Sequence, residues 1–535
     1  MAPRFFAFAA VLAALAGGCA SVPPGVDFPK SRSSALERPA ETRLGRSIAG
    51  AARQHAGLSG FRLLPSGVDG ILARIEMADA AERTLDVQYY IYREDDTSKL
   101  LSDAIVRAAD RDVRVRVLLD DHGAIHKNLI AALSGHPRIE VRVFNPFAYR
   151  GETAALRFIE LAFHAPRLRY RMHNKLFVAD NAVALVGGRN VGDEYFQANP
   201  EFDFGDYDVF AAGPVVPELS KTFDEYWSNA MAIPVEAFAH GRKNTHALDE
   251  FRKALEEHRR WMDGTDYMRK LATGEPLAGM ISGRALSWAR AEVVYDSPDK
   301  ATAKGHEALN WLNHGAVARA ARATRSELLL VSPYLLPGDQ GMQFLLDLRR
   351  RNVRIRVLTN SLEATDVAAA HAGYARYRPV LLENGIELYE VRARMNESGG
   401  SGAPLAPESS GRFSLHAKAL VFDRQKVFIG SMNFDRRSLL MNTELGLMIH
   451  SPELARQVAR QFEAIAQPAN SYQVLRDHNG GNGFGPPRLL WRTEKDGKLV
   501  ELEVEPTRSA WQRLTVDFLL ALPVDVLLGE SDYQF

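Results

Sequence analysis

The chain has 535 residues, of which 46% are hydrophobic and 25% are charged, and 66 Lys and Arg residues balance 66 Asp and Glu residues at a formal net charge of +0. This length exceeds one ordinary hydrophobic core and predicts at least two substantial domains. The composition excludes a wholly disordered chain and a protein with many membrane spans. The balanced charge lacks the basic excess that binding to nucleic acid usually requires, so no nucleic-acid partner is expected.

The first 19 residues are typical of a bacterial export signal. An arginine precedes a mostly apolar run from Phe5 to Leu15, which is too short for a membrane span of about 20 residues. The small residues before Cys19, the only cysteine of the chain, resemble a lipobox. That resemblance implies a lipoprotein acylated at Cys19, and Ala20 favours the outer over the inner membrane. Because Ala16 departs from the usual lipobox, cleavage after Ala20 to give a soluble periplasmic protein stays open.

Residues 20–45 are rich in Pro, Ser, Arg and Ala and predict a tether. From about residue 45 the pattern alternates between helices and strands, which indicates an α/β fold. In the first half the predicted elements are a helix over 67–82, a strand over 85–92, a helix over 98–109 and strands over 113–119 and 139–144. The second half repeats this order with predicted strands over 328–335, 353–358 and 386–391.

Two copies of one motif dominate the sequence. His173, Lys175 and Asp180 form H-x-K-x4-D, and His416, Lys418 and Asp423 form it again 243 residues later (416 − 173). The strands that begin at Leu328 and Leu85 are separated by the same 243 residues, so whole domains were duplicated. Each motif runs into a turn of small residues and an asparagine, Asn190 or Asn433.

The repeat divides the chain into domains. We expect an N-terminal domain over 46–245, a charged helical connector over 246–300, a C-terminal domain over 301–475 and a tail over 476–535. Glycine and serine concentrate at 398–402, which predicts a surface loop, with a lid as the alternative. The apolar run 518–528 of the tail is too short to span a bilayer; packing on the core is favoured over contact with a membrane surface.

The paired motifs suit chemistry at a phosphate. Residues two apart on a strand point to one face, so each histidine lies beside its lysine. The lysine neutralises phosphate charge, while one imidazole attacks phosphorus and the other donates a proton to the leaving alcohol. Asp180 and Asp423 complete the catalytic motifs, but they come where each strand should turn, which favours a structural role over proton transfer. The ligand spacing of metal sites is missing, so neither a metal nor another cofactor is expected.

This constellation resembles the phospholipase D superfamily. The resemblance implies two pseudo-symmetric domains, each a mixed β-sheet flanked by helices, that share one active site. It further implies His173 as the nucleophile that forms a phosphohistidine, His416 as the general acid and base, and phosphate binding by Asn190 and Asn433. Superfamily members also orient each histidine with a downstream carboxylate. The sequence offers Asp208 for His173 and Glu444 for His416, with solvated acids at strand ends as the alternative.

Further segments are similar to bacterial C-type cardiolipin synthases from about residue 45 to the C-terminus. These segments are Arg171–Lys175, Thr359–Asp366, His371–Tyr374 and Ser414–Lys418. The resemblance implies transfer of a phosphatidyl group to phosphatidylglycerol at the membrane surface, with phosphatidylethanolamine as the donor associated with the C-type. Asn360, Asp366 and His371 either line the lipid site or serve the structure. A small partner protein is neither indicated nor excluded.

Three other functions remain as alternatives. Water as the acceptor would give a phospholipase D that releases phosphatidic acid. The sequence distinguishes poorly between this hydrolysis and phosphatidyl transfer. The neutral charge and the export signal oppose an endonuclease. Two complete motifs oppose an inactive lipid-binding protein of the cell envelope.

Overall fold

The computed structural model describes residues 23–121, 127–151, 153–238, 245–282, 286–301, 315–395, 411–477 and 488–522. Cys19, the glycine- and serine-rich segment 398–402 and the end of the tail lie outside these ranges. Within them, the two halves each contain a mixed β-sheet with helices packed against it, which confirms the predicted fold class.

The first half is built on a sheet that has nine strands among the described residues. Its central strands run parallel and the others antiparallel. In spatial order the strands are β10 (Ser287–Ala289), β1 (Ser59–Leu64), β8 (Asp208–Ala212), β6 (Val183–Gly187), β5 (Leu176–Ala179), β2 (Thr84–Tyr89), β3 (Arg114–Asp120), β4 (Ile139–Phe144) and β9 (Ala232–Pro234).

The sheet of the second half, with ten strands in the described ranges, repeats this topology. In spatial order its strands are β11 (Ala291–Tyr295), β20 (Leu445–Ile449), β18 (Lys426–Gly430), β17 (Ala419–Phe422), β12 (Glu327–Val331), β14 (Arg354–Asn360), β15 (Glu387–Val391), β21 (Ser471–Arg476), β22 (Leu489–Lys495) and β23 (Lys498–Leu502). The parallel strands β12, β14 and β15 take the places of β2, β3 and β4. The strands predicted from the sequence are therefore confirmed, with ends shifted by a few residues.

Side-chain caps mark where helices begin, and the spacing of apolar residues gives helices a buried face. Ser66 and Asp95 accept hydrogen bonds from the backbone N–H groups of Asp69 and Ser98 and so begin the two predicted helices of the first half. The α-helices are Arg43–Gln54, Gly67–Ala80, Asp96–Asp110, Lys127–Gly135, Ala154–Phe163, Ala165–Leu168, Val215–Ser228, Thr245–Met262, Asp266–Leu271, Leu277–Met280, Gly315–Ala323, Gly338–Arg350, Ala368–Ala375, Arg378–Glu383, Arg436–Leu440, Pro452–Ile465 and Ala510–Ala521. No helix in the described ranges combines the length and apolar character needed to cross a bilayer.

The two halves share a core and, among the described residues, are joined by strand pairing in one place and by a β-bridge in another. One buried apolar cluster contains residues of both sheets and of the helices Val215–Ser228 and Pro452–Ile465. At the interface, β7 (Phe202–Gly205) of the first half pairs in parallel with β16 (Arg412–Leu415) of the second. Met172 and Thr443 form a parallel bridge on the other side. The backbone of each half is thus fixed to the other close to both motifs.

Three segments differ from the sequence-based description. Part of the predicted tether lies on the first half, where Ser31 and Ser33 accept hydrogen bonds from Arg142 and Arg116. The predicted connector contains helices, but it also supplies β10 to the first sheet and β11 to the second. The predicted tail extends the second sheet by β22 and β23 before its terminal helix.

Candidate active site

His173 is positioned by backbone contacts with the opposite half. Its N–H donates to the carbonyl of Thr443 at 2.9 Å, and the N–H of Thr443 donates to the carbonyl of Arg171 at 2.9 Å. Asp120, the last residue of β3, accepts from the Arg171 guanidinium and from the N–H of Met172 at 2.8 Å. The histidine therefore lies at the carboxyl end of the parallel strands, where ligand sites of such sheets usually form.

His416 is held in the corresponding way at the end of β16. Its N–H donates to the carbonyl of Gly205, the last residue of β7, at 2.8 Å. Asn360, at the end of β14, donates to the carbonyl of Leu415 at 2.9 Å and accepts from its N–H at 2.8 Å. Asn360 thus serves the backbone beside the motif, one of the two roles that the sequence allowed.

Each histidine contacts a carboxylate of the other half. His173 Nδ1 lies 2.9 Å from Oε2 of Glu444, and His416 Nδ1 lies 2.6 Å from Oδ2 of Asp206. A carboxylate at Nδ1 orients the ring and selects the tautomer, which leaves Nε2 for chemistry. The four residues are at most 6% exposed.

These contacts correct the predicted pairing of acids and histidines. Glu444 orients His173 and does not contact His416, because Thr443 pairs with the strand that leads into the first motif. Asp208 contacts neither histidine. It accepts from the Arg74 guanidinium at 2.8 Å and lies 3.4 Å from that of Arg189. The partner of His416 is Asp206, which sequence reasoning passed over although it stands two residues before Asp208.

Both lysines lie against the histidines. Lys175 Nζ donates to the carbonyl of His173 at 2.6 Å, and Lys418 Nζ lies 2.7 Å from His416 Nδ1 and 3.8 Å from Asp206. Burial lowers the pKa of Lys175 to about 7 and that of Lys418 to about 8, although nearby carboxylates oppose the change. Two buried cations with lowered pKa values form a site that an anion would stabilise.

The pKa values of both histidines are lowered in the site. Burial lowers the pKa of His173 to about 4, and Glu444 only partly offsets it. Burial lowers the pKa of His416 well below its usual value, and positive charge on Lys418, Lys175 and His173 adds to the effect. The influence of His173 on His416 places both imidazoles in one electrostatic environment.

Aromatic rings enclose the two imidazoles. Tyr90 meets His173 edge to face at a centroid distance of 4.9 Å. Tyr195 and Phe204 lie 5.2 and 4.8 Å from His416. Sequence reasoning did not single out these residues. Tyr195 and Phe204 come close to His416 because β7 and a nearby turn cross to the second half.

The motif aspartates make structural contacts. Asp180, in the left-handed region at φ 53°, accepts from the N–H groups of Arg83 and Thr84 at 2.7 and 2.9 Å and from that of Glu82 at 3.0 Å. Asp423, at φ 50°, binds the N–H groups of residues 325–327 in the same way. Each carboxylate fixes the start of a central strand, which supports the structural role favoured over proton transfer.

The two asparagines differ in their contacts. Asn190 accepts from the N–H of Ile91 at 3.2 Å and donates to the Tyr195 hydroxyl at 3.0 Å. Asn433 is 5% exposed, and its buried Oδ1 has no hydrogen-bond partner among the described residues. Phosphate binding by either residue stays a prediction.

Asp366 and His371, which the sequence indicated as candidates for the lipid site, each contact another polar side chain. Asp366 accepts from the Tyr334 hydroxyl at 2.8 Å, and His371 lies 2.8 Å from Glu505. No group of three or more His, Cys, Asp or Glu side chains that could hold a metal ion occurs within the described ranges.

Two duplicated sheets that bring paired His and Lys residues to one shared site define a protein of the phospholipase D superfamily. A family model described as cardiolipin synthase, PLD-like domain, matches residues 74–227 and 317–466. Cardiolipin synthase C of Escherichia coli (strain K12) is 38% identical over 490 residues, which cover 91% of this chain and 100% of that protein. The chain therefore belongs to the cardiolipin synthase family with phospholipase D-like domains, as the sequence resemblance indicated.

More distant relatives extend this result. The major cardiolipin synthase ClsA of Bacillus subtilis (strain 168) is 25% identical over 409 residues, 75% of this chain and 67% of that protein. The crystal structure of phosphatidylserine synthase from Haemophilus influenzae Rd KW20 aligns at a TM-score of 0.51 and 15% identity, over 79% of this chain and 91% of that one. At that identity the structural likeness supports the fold alone. Family membership identifies the chain as an enzyme that transfers phosphatidyl groups.

Proposed function

We propose that this protein makes cardiolipin by transferring a phosphatidyl group to phosphatidylglycerol through a phosphohistidine. The observation that carries the proposal is the crossed arrangement of the site, in which each histidine is oriented by a carboxylate of the other half. Two imidazoles with lowered pKa values and two lysines suit a phosphodiester, and the matching family and relative are cardiolipin synthases.

The first chemical step opens the donor lipid. Nε2 of His173 attacks phosphorus, and the bond from phosphorus to the leaving alcohol breaks as His416 gives that oxygen a proton. Arrival of the phosphate anion favours the protonated form of His416, which is otherwise opposed by Lys418 and Lys175. The products are a free alcohol and the phosphatidyl group on His173.

The second step joins this group to the acceptor. Neutral His416 takes the proton of a glycerol hydroxyl of phosphatidylglycerol, the hydroxyl oxygen attacks phosphorus, and the bond to His173 breaks. Lys175 and Lys418 neutralise charge on the phosphate oxygens in both steps. Asn190 and Asn433 are assigned to the same oxygens by family resemblance.

The surroundings favour transfer over hydrolysis. Tyr90, Tyr195 and Phe204 place aromatic rings against the imidazoles, and we take this apolar surface as support for a site that disfavours water beside the phosphohistidine. Release of phosphatidic acid is the competing outcome.

Identification of the products tests this function. Purified protein is given phosphatidylglycerol alone, phosphatidylethanolamine alone, or both lipids, and the products are resolved by mass spectrometry. Cardiolipin from phosphatidylglycerol or from the mixture supports transfer. A much higher yield of cardiolipin from the mixture than from phosphatidylglycerol alone assigns phosphatidylethanolamine as the donor. Phosphatidic acid as the sole product in all three samples contradicts the proposal.

We further propose that the protein is exported and anchored by acylation of Cys19, with the outer membrane favoured. The support is the apolar run that ends in small residues before Cys19. Cys19→Ser should move the protein from the membrane to the soluble fraction. Unchanged fractionation of Cys19→Ser would exclude the acyl group as the essential anchor.

A further inference from the structure

The terminal helix, Ala510–Ala521, has an apolar face that no described residue covers. Val516 on the opposite face is 2% exposed and packs with Leu362 and Ala372. Trp511, Leu514 and Phe518 are 77%, 61% and 64% exposed. Their spacing of three and four residues places the three side chains in one stripe along the helix.

A helix of the first half repeats this pattern. In Ala154–Phe163, the residues Leu156, Ile159 and Phe163 are 45%, 48% and 61% exposed. Their spacing is again three and four residues. Single exposed apolar side chains are ordinary, whereas two contiguous stripes on one protein indicate an interaction surface.

The terminal helix lies beside the second half of the active site. The Gln512 side chain donates to the carbonyl of Leu362 at 2.6 Å, and Leu362 follows the end of β14 by two residues. The last residue of β14 is Asn360, whose amide holds the backbone of Leu415 next to His416. The helix is therefore attached at the carboxyl edge of the second sheet.

The helix of the first half has the corresponding place. Arg157 donates to the carbonyl of Asp121 at 2.8 Å, directly after the end of β3. Asp120, the last residue of β3, holds Arg171 and Met172 in front of His173. Both helices are thus attached next to the sheet edges that carry the histidines, one in each half.

The chemistry of the stripes points to lipid. Each helix carries one basic and one acidic residue, Arg157 with Glu160 and Arg513 with Asp517, so neither has a net charge that would select a charged partner. Helices with apolar side chains on one exposed face insert into the boundary between headgroups and acyl chains. A substrate with acyl chains must enter the site from such a boundary.

We propose that the stripes of Ala154–Phe163 and Ala510–Ala521 form a membrane-docking surface that presents the active site to a phospholipid bilayer. The proposal rests on the proposed function, because it assigns the surface to the substrate membrane. Contact is driven by apolar insertion and not by charge.

Vesicle binding tests the surface in the full-length chain carrying Cys19→Ser, which removes any lipid anchor. The vesicles contain phosphatidylglycerol and phosphatidylethanolamine. Combining Trp511→Ser, Leu514→Ser and Phe518→Ser should weaken binding by on the order of 100-fold. Leu156→Ser, Ile159→Ser and Phe163→Ser together should have a similar effect. Binding should persist at about 1 M salt, where the Debye length is only about 3 Å.

A matched control uses exposed apolar residues outside both helices. Trp261 and Leu499 are 62% and 65% exposed, and Trp261→Ser with Leu499→Ser should leave vesicle binding within about twofold. Equal loss in this control, unchanged binding of both triple variants, or release of the parent protein by salt would overturn the proposal. Thermal unfolding verifies that the variants are folded.

Activity on a monomeric substrate separates this proposal from the proposed function. With short-chain phosphatidylglycerol below its micelle concentration, the triple variants should keep the parent rate within about twofold, because no bilayer is involved. Loss of that rate in folded variants would show that the stripes serve the chemistry and would overturn the docking role. Failure of the parent itself to form cardiolipin from any lipid would refute the proposed function, whatever the vesicle binding shows.

Discussion

At the scale of single residues, the identity of the carboxylate behind each histidine governs the chemistry. Glu444 and Asp206 are fully buried, and each has an imidazole as a close partner. Burial acts to raise the pKa of Glu444, but His173 and Lys175 outweigh it and hold the pKa below its usual value. Glu444 therefore favours the ionised form, which in the proposed mechanism stabilises the positive charge that develops on His173 as it attacks.

The role of Glu444 leads to a test against Asp208. Glu444→Gln should lower kcat by about 10²- to 10⁴-fold, because the amide no longer selects the tautomer of His173. The same change should cost little stability. Asp208→Asn should instead lower the free energy of unfolding by about 3 to 5 kcal/mol, because it breaks the buried pair with Arg74. Steady-state kinetics and urea unfolding measure both effects. An Asp208→Asn protein that keeps its stability and loses more kcat than Glu444→Gln would contradict the assignment of Glu444 as the partner of His173.

The lowered pKa values predict a bell-shaped dependence of kcat/KM on pH. In the proposed mechanism, protonation of His173 below about pH 4 removes the lone pair needed for attack on phosphorus. Above about pH 7 to 8, Lys175 and then Lys418 lose the charge that would bind phosphate. These limits belong to the coupled site as a whole. Lys175→Arg should move the alkaline limit upward, because a guanidinium does not titrate in this range. An unmoved alkaline limit would exclude Lys175 as its cause.

The residues of the site were predictable from the sequence to different degrees. The His and Lys residues could be found because the duplication repeats their spacing, and such a repeat seldom arises by chance. The acids could not be assigned, because His173 and Glu444 are 271 residues apart and meet through a bridge between halves. Asp206 and Asp208 occupy one short segment, and only the pairing of β7 with β16 determines which of them reaches His416.

At the scale of elements, the motif aspartates link the catalytic strands to their neighbours. Asp180 ends the strand that follows His173 and binds three N–H groups at the start of β2. Asp423 does the same for β12.

The alternation of helix and strand was predictable from the spacing of apolar residues, whereas β22, β23 and the strands in the connector have weaker patterns and were not predicted.

Removal of the Asp180 carboxylate tests this structural role. Asp180→Ala should lower the free energy of unfolding by about 3 kcal/mol, because it leaves three N–H groups without an acceptor, one of them fully buried. Asp423→Ala should cost less, since its partners are more exposed. Urea unfolding measures the difference. A loss of kcat in a stable Asp180→Ala protein would instead favour a catalytic role.

At the scale of the whole molecule, the active site exists only where the two halves meet. Each half provides one His and Lys pair and the carboxylate for the other half, and a shared apolar core holds the halves together. The sequence predicted the shared site from the duplication. It did not reveal the parallel strand pair and the bridge that fix the relative position of the halves.

Mixing two inactive variants tests whether the site is formed within one chain. His173→Ala and His416→Ala should each lower kcat by at least about 10³-fold, because nucleophile and acid act as a unit. Equimolar mixing should restore no activity, since each chain folds around its own incomplete site. Recovery of activity on mixing would show that chains exchange halves.

The crossed contacts also determine when the protein becomes reactive during its synthesis. A growing chain that has passed Asp208 already contains the complete first motif, with His173 and Lys175, but the carboxylate for His173 is not made until residue 444. Until residue 444 is made, His173 therefore has no carboxylate at Nδ1, and in the proposed mechanism it lacks the group that stabilises its positive charge. In that mechanism the ability to cut and join phospholipids arises only after both halves of the chain have been made.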